Sequence, residues 1–311
     1  MTGLGPQTPE NWYLLGKASA LKAGAIASHS IGQRAIVVWR GRDSGELTAF
    51  EAHCAHMGCH LARGEVVGDR LRCGLHHRMI SAGGSFGQAG TGALQQPTLP
   101  VREFCGGLWV YCGKDSKRFD LDDLGLASFP ACYAGEYAFP LSWQALVANG
   151  FDAEHLASVH ERELLDAPTL ERMGDGAIEL NYRTRPTGKG LADRVTSRLA
   201  PDGVHGRIGA RNGSMMFVRS RLGKRRSFIL MSFVPTAEEG TMVRAIVGVE
   251  GERSLAKAMQ TRIAASLFKT FLFKDLQVLE DLRWHEPDFE HSLGDRFTRR
   301  LCDYFRETPG A

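Results

Sequence analysis

Short apolar runs separated by turn-forming residues dominate the first third of the chain. Residues 35–39 and 47–50 are two such runs, and the segment between them, 41–45, contains Gly, Asp and Ser. Residues 107–111 form a third run. Apolar runs of this length bounded by turn residues are typical of β-strands. The pattern predicts an all-β unit over about residues 12–115.

The rest of the chain mixes strand-like and helix-like patterns. Residues 227–234 and 241–247 are rich in β-branched and aromatic side chains, which favours strands. Apolar residues then recur every fourth position at Leu255, Met259, Ile263 and Leu267. That spacing predicts a helix that continues towards Trp284.

An acidic segment, 115–123, interrupts the pattern and reads as a linker. We therefore divide the chain into units of residues 1–120 and 121–311, and predict an α+β fold class. The glycine-rich stretch 83–92 lacks the GxGxxG and GxxxxGK[ST] spacings, so we interpret it as a loop rather than a phosphate site.

Composition narrows the class of protein. The chain has 311 residues of which 43% are hydrophobic, enough for a folded core, and its net charge of +3 gives no reason to expect nucleic-acid binding. Seven cysteines, an odd number, do not suggest a secreted disulfide scaffold. With no leader-like segment before residues 11–13 and no stretch that could span a bilayer, we expect a soluble cytoplasmic protein.

Two cysteine and histidine pairs form the first candidate metal site. Cys54, His56, Cys73 and His76 follow the pattern C-x-H-x16-C-x2-H. Two thiolates and two imidazoles could hold zinc in a closed tetrahedral site. In a Rieske [2Fe–2S] centre, however, cysteines hold one iron and histidines the other, so each loop must supply one of each. The pairing within each loop therefore favours a Rieske cluster.

A second constellation follows at 149–160. Asn149, Asp152, His155 and His160 give the spacing N-x2-D-x2-H-x4-H. Non-haem ferrous oxygenases bind iron with two histidines and one carboxylate and leave coordination positions open. His155 and His160 are the candidate histidine ligands, although this spacing alone also fits a surface histidine pair.

The third ligand would have to come from downstream. Asp275 shares a predicted helical face with apolar side chains, and a carboxylate carried inward among them needs a partner such as ferrous iron. These neighbours are Phe271, Leu272, Val278, Leu279 and Leu282. Glu280 and Asp281 remain alternatives, and Asp275 could instead be a surface acid paired with a lysine.

These motifs together resemble the Rieske non-haem iron oxygenases, specifically their terminal oxygenase (alpha) component. The likeness covers about residues 12–113 and continues in the 149–160 motif. Cys59 stands where respiratory Rieske proteins have a disulfide cysteine, but its partner position holds Leu75, which favours the oxygenase and ferredoxin branch. The chain departs from the family after His76: it has His77 and Arg78 instead of Gly-Trp, which makes His77 a competitor to His76 as ligand.

The resemblance implies an N-terminal all-β Rieske domain followed by an α+β catalytic domain with an antiparallel sheet and a long C-terminal helix. Electrons from NAD(P)H would arrive through a separate ferredoxin or flavin reductase, pass to the cluster and then to mononuclear Fe(II), where O2 is used. The compact chain resembles the monooxygenase-like branch, so we expect hydroxylation of an apolar cyclic or aromatic molecule. O- or N-demethylation, desaturation and N-oxygenation remain open.

The family also implies a head-to-tail homotrimer. In it the residue matching Asp152 links a Rieske histidine of one subunit, here His76, to an iron-ligand histidine of the next, here His155. Asn149 would lie in the pocket or behind the ligands. Alternatively, Asp152 is an acid favoured at the start of a helix.

Two other classes of protein also fit these motifs. The chain could be an electron-transfer Rieske protein without catalysis, or a structural zinc protein. The basic run 219–226 predicts a hairpin turn that could dock an acidic ferredoxin, and residues 215–217 could line an apolar pocket or simply pack in a sheet.

Overall fold

The computed structural model describes residues 8–86, 94–174, 176–188, 190–280, 282–283 and 293–308. Part of the glycine-rich stretch, Asp281 and Trp284 lie outside these residues. The predicted strands 35–39, 47–50, 107–111, 227–234 and 241–247 are all confirmed.

The first part of the chain is built from ten short strands. These are β1 (Asn11–Lys17), β2 (Ile26–Ile31), β3 (Arg34–Arg40), β4 (Leu47–Glu51), β5 (Glu65–Val67), β6 (Arg70–Arg72), β7 (Met79–Ser81), β8 (Thr98–Leu99), β9 (Val101–Phe104) and β10 (Gly107–Cys112). They form three antiparallel sheets, ordered β1-β10-β9, β2-β3-β4-β8 and β5-β6-β7. Trp39, Phe50 and Leu61 pack in a buried cluster that also contains Cys54 and Cys73.

The second part surrounds one large sheet. Its elements are β11 (Ala131–Phe139), α1 (Trp143–Phe151), α2 (His155–Ser158), β12 (Arg162–Leu164), β13 (Thr169–Met173), β14 (Ala177–Pro186), α3 (Leu191–Leu199), β15 (Val204–Arg211), β16 (Met215–Leu222), β17 (Arg225–Pro235), β18 (Thr241–Val249), α4 (Leu255–Leu279) and α5 (Leu293–Glu307). The strand order is β11-β18-β17-β16-β15-β14-β12, with β13 also paired to β14. Every pairing is antiparallel. The expected α+β fold with a long helix near its C-terminal end is therefore confirmed.

The hairpin between β16 and β17 is the basic turn that the sequence predicted. Leu222 pairs with Arg225, which leaves Gly223 and Lys224 as a two-residue loop. Gly223 has φ of +59°, a conformation that glycine adopts without strain, and two-residue hairpin loops require such residues.

Helix α4 is confirmed, but its four-residue repeat does not mark the buried face. Leu255 is 93% exposed and Met259 62%, whereas Ala265, Phe268 and Leu272 are buried. The helix packs its buried side on β18 and β11. Periodicity identifies a helix without showing which side is covered. The helix ends at Leu279, short of Trp284.

The two parts of the chain share one hydrophobic core rather than only a connecting segment. Trp12 and Leu14 of β1 pack in the same buried cluster as Phe228 and Ile246 of the large sheet. The acidic segment 115–123 between them contacts the first part of the chain, because Arg102 of β9 forms ion pairs with both Asp120 and Asp122. The boundary at residue 120 stays a prediction. None of the described helices is long and apolar enough to span a membrane.

Candidate metal centre and substrate cavity

Two short helices bring the 149–160 motif into position. Helix α1 begins after Ser142, whose hydroxyl accepts a hydrogen bond from the Ala145 N–H at 3.3 Å. Where α1 ends, the Asp152 carboxylate accepts hydrogen bonds from the N–H groups of Glu154 (2.8 Å) and His155 (3.2 Å). The chain therefore turns at once into α2, and His155 is held at the first residue of that helix.

The structure brings His155, His160 and Asp275 together. Asp275 Oδ1 lies 2.8 Å from His160 Nε2 and 3.5 Å from His155 Nε2. The ligand-capable atoms of the three residues all lie within 4.8 Å of one another. The side chains are 11%, 3% and 18% exposed for His155, His160 and Asp275. Asp275, which is 115 and 120 positions from the two histidines in sequence, thus meets them at one partly enclosed point.

The polarity of this cluster suits a divalent cation. His155 Nδ1 donates to the Asp152 carbonyl at 2.7 Å, since a carbonyl only accepts, and this leaves His155 Nε2 with a free lone pair. His155 Nε2 and Asp275 Oδ1 are buried without a hydrogen-bond partner. Two imidazoles and one carboxylate are the donor set expected for non-haem iron. The residues present therefore fit a mononuclear iron.

Electrostatics favour an ionised carboxylate in this cluster. Burial alone would raise the pKa of Asp275, but the facing imidazoles of His155 and His160 lower it below its usual value. Burial alone would lower the pKa of His155, but Asp275 and the Asp152 carbonyl raise it above its usual value. The carboxylate is thus the charged anchor of the site.

The sequence alternatives for the carboxylate are placed differently. Glu280 is exposed at the end of α4 and is not among the residues whose ligand atoms cluster with the two histidines. Asp281 lies outside the described residues. Among the three acids considered from the sequence, Asp275 is the one that the described part of the chain shows beside His155 and His160.

The two Rieske-type loops have matching turns. Gly58 N–H donates to the Cys54 carbonyl (2.8 Å), and His77 N–H donates to the Cys73 carbonyl (3.0 Å). Cys54 and Cys73 are buried. The rings of His56 and His76 lie 4.8 Å apart in an edge-to-face arrangement. Each loop therefore contributes one buried thiol and one imidazole on the outer side, an arrangement that fits a [2Fe–2S] cluster with two cysteine and two histidine ligands.

The other histidines near these loops differ from the motif pair. The ring centroids of His53 and His60 lie 5.3 Å apart, and His60 Nδ1 accepts a hydrogen bond from the Ala62 N–H at 3.3 Å. His77 is exposed and its backbone has a positive φ of 54°. The seven cysteines are free thiols.

A cavity of about 360 Å³ opens beside the His155, His160 and Asp275 cluster. Apolar side chains supply most of its wall, among them Phe139, Leu146, Met216, Phe233, Phe268 and Leu272. Asn149 also lines it. Met216 approaches α1 closely, because a Cβ at Gly150 would lie 2.8 Å from its thioether sulfur. Of the run 215–217, Met216 lines the cavity, whereas Met215 packs in the core shared by the two parts of the chain and Phe217 packs against it.

Sequence reasoning missed two polar side chains of this cavity. Arg162 and Tyr182 both line it. Phe271 stacks on the His160 ring at 4.7 Å, and the Arg162 guanidinium lies 5.6 Å from the same Phe271 ring. A charged residue two positions after a ligand histidine, at the start of a strand, was an available signal for Arg162. Tyr182 becomes visible only through strand pairing.

Comparison with known proteins agrees with this architecture. Residues 11–99 match the Rieske [2Fe-2S] domain family. The chain is 27% identical over 179 residues to cholesterol 7-desaturase nvd of Bombyx mori, covering 52% of this chain and 38% of that protein. It is 29% identical over 217 residues to the vanillate O-demethylase oxygenase subunit of Pseudomonas sp. (strain HR199 / DSM 7063), covering 60% and 59%.

The fold has a close structural counterpart. A crystal structure of dicamba monooxygenase bound to 3,6-dichlorosalicylic acid superposes with a TM-score of 0.72 at 18% identity, covering 97% of both chains. The matched segments span 38% and 59% of the two sequence relatives, about half their length.

Fold and site together define a protein with a Rieske-type domain and, beside an apolar cavity, three side chains that could bind a metal ion. The chain carries a Rieske domain and is related to the terminal oxygenase components of the Rieske non-haem iron oxygenases. The predicted Rieske domain is confirmed over residues 11–99, and the relationship agrees with the predicted pairing of a Rieske cluster with a mononuclear iron.

Proposed function

We propose that this chain is a terminal oxygenase that oxidises an apolar cyclic or aromatic small molecule. The observation that carries the proposal is the position of His155, His160 and Asp275 at the wall of the apolar cavity, in a chain that also contains a Rieske domain. A substrate in the cavity would lie beside the metal, so that binding supplies proximity and orientation for the reaction.

The ligand residues follow from the two clusters. Cys54, His56, Cys73 and His76 hold the Rieske cluster, and His155, His160 and Asp275 hold the mononuclear iron. When bound, the cluster relays electrons and the iron activates O2 beside the substrate. The protein's own contribution is to fix the imidazoles, keep the carboxylate ionised and exclude bulk water with an apolar wall.

Hydroxylation is the reaction we propose first. Desaturation and O-demethylation, which appear in the names of two relatives, and N-oxygenation remain alternatives at the same iron. The cavity supports an apolar substrate, since its walls are formed mainly by aliphatic and aromatic side chains.

Electrons would come from NAD(P)H through a separate ferredoxin or flavin reductase. Met57 and Leu75, one in each cluster loop, are 67% and 52% exposed. Large exposed apolar side chains beside a redox group support a docking surface there.

We also propose a head-to-tail homotrimer in which Asp152 links His155 to His76 of the next subunit. Within one chain, the Asp152 carbonyl already holds His155 and its carboxylate caps α2. An Asp152→Asn variant should retain both metal centres and slow electron transfer from cluster to iron, as measured by rapid mixing of the reduced enzyme with O2. Unchanged transfer in that variant would contradict the bridge.

The function is tested with ¹⁸O2. The holoenzyme is supplied with NADH, a surrogate ferredoxin and its reductase, and incubated with a panel of steroids, aryl amines and methoxylated aromatics. We expect at least one compound to accelerate O2 uptake and to yield a product whose mass shows ¹⁸O transfer, or the loss of a methyl group or two hydrogens. A panel that leaves O2 uptake at its basal rate would overturn the proposal for small apolar rings.

A further inference from the structure

Part of the cavity wall is polar, and the strand register shows why. Strand β12 pairs with β14 so that Arg162 is opposite Pro186 and Leu164 is opposite Thr184. Directly opposed residues project from the same face of a sheet, as do alternate residues of one strand. Arg162, Tyr182 and Thr184 therefore share one face, and all three line the cavity.

The N–H groups of the Arg162 guanidinium lack hydrogen-bond acceptors among the described residues. Its side chain is only 16% exposed, and its ion pair with Asp193 of α3 spans 3.9 Å, beyond hydrogen-bonding distance. Within the described residues no N–H of Arg162 donates a hydrogen bond. A largely enclosed guanidinium with open donors is costly unless another acceptor completes it.

Tyr182 adds a second open donor at the same place. Its hydroxyl makes no hydrogen bond in the part of the chain that the structure describes, and Arg162 is close enough to act on its ionisation. The ring lies directly over Gly206, where a Cβ would come within 2.2 Å of it. The phenol is thus held in place by the backbone beneath it.

The cavity wall holds a cation, Arg162, that no acid of the wall faces. Its ionisable groups are Arg162, Tyr182, His155, His160 and Asp275. Asp275 faces the two histidines, and the two acids that act on Arg162, Asp193 at 3.9 Å and Glu161, lie outside the wall.

We propose that Arg162 and Tyr182 form an anion subsite, and that the substrate is an apolar ring bearing a carboxylate. The planar guanidinium fork matches a carboxylate, and its N–H groups lie too far from Asp193 to be used in a hydrogen bond to it. Phe271 contacts both Arg162 and His160, so the carboxylate would be anchored about one aromatic ring away from the metal centre. The subsite rests on the proposed function and specifies the substrate class of that same cavity.

The test is calorimetric titration of the anaerobic holoenzyme with three acids and their neutral counterparts. The probes are benzoate, 2-naphthoate and cyclohexanecarboxylate, each compared with its carboxamide. We expect the wild type to bind the best acid about tenfold or more tightly than its amide, because charge-assisted hydrogen bonds form only with the acid. Arg162→Gln should abolish that preference, Arg162→Lys should keep part of it, and Tyr182→Phe should weaken acid binding more than amide binding.

Arg185→Gln is the matched control. Arg185 is on β14 opposite Glu163, so it projects from the other face of the same strand pair, where it is exposed. This variant removes the same charge and should leave the preference unchanged. Should Arg162→Gln fail to fold, Arg162→Lys and Tyr182→Phe still decide the question.

Equal binding of acids and amides, an intact preference in Arg162→Gln, or no binding of any acid would overturn the subsite. These results are independent of turnover. Acid binding without any oxygenated product would leave the subsite standing and refute the proposed function, whereas oxygenation of neutral rings alone would do the reverse.

Discussion

Asp275 shows how far a single residue could be predicted. Its apolar neighbours Leu272 and Leu279 indicated an inward carboxylate, and the structure places it beside His155 and His160. The prediction worked because helical spacing is local. Arg162 and Tyr182 were missed because they share a site only through the pairing of β12 with β14, which the sequence does not reveal.

Asp275→Asn should lose the mononuclear iron, because the amide keeps the shape but removes the negative charge that balances the cation. Metal analysis is expected to fall by one iron per chain while the visible absorption of the cluster persists. Glu280→Gln, on the same helix but exposed, is the control and should retain the wild-type iron content. If Glu280→Gln loses the iron and Asp275→Asn keeps it, the carboxylate ligand is Glu280 and not Asp275.

At the scale of elements, close packing of strands positions the cavity wall. Tyr182 and Gly206 are directly paired across β14 and β15, and the tyrosine ring occupies the space that a larger residue at 206 would need. The sequence predicts such strands from their apolar runs, but not which glycine lies under which ring. Helix α4 has a similar limit. Its four-residue apolar repeat predicted the helix, but the side chains of that repeat are exposed.

Gly206→Ala should destabilise the protein by about 1–3 kcal/mol, because the new methyl group overlaps the Tyr182 ring. Thermal or urea denaturation measures the change. In a Tyr182→Ala background the same glycine substitution should cost much less, since the ring is gone. Equal costs in the two backgrounds would show that the ring and the glycine are not coupled.

At the scale of the whole molecule, a histidine lies at the junction of the two parts of the chain. His29 of β2 is near Arg244 of β18 and Glu136 of β11. Burial, together with the charge of Arg244, lowers the pKa of His29 to about 4 from the usual 6.5. The folded protein therefore holds this histidine neutral at a pH where the unfolded chain protonates it.

Stability should therefore fall as the pH drops from about 6.5 towards 4, and the contribution of His29 to this loss should level off below its folded pKa. The contribution is at most roughly 3 kcal/mol. Urea titrations of the wild type and His29→Gln at several pH values isolate it, because the acidic groups titrate in both proteins. Parallel stability curves for the two proteins would refute this role.

The proposed function requires one chain to hold two separate iron centres. Iron content of purified His155→Ala, measured together with the visible spectrum, tests it most directly. We expect three irons per chain in the wild type, two in His155→Ala with the cluster absorption intact, and three in the control His205→Ala, whose histidine lies on β15 outside both clusters. Two irons in the wild type, unchanged by His155→Ala, would contradict the account and leave an electron-transfer Rieske protein.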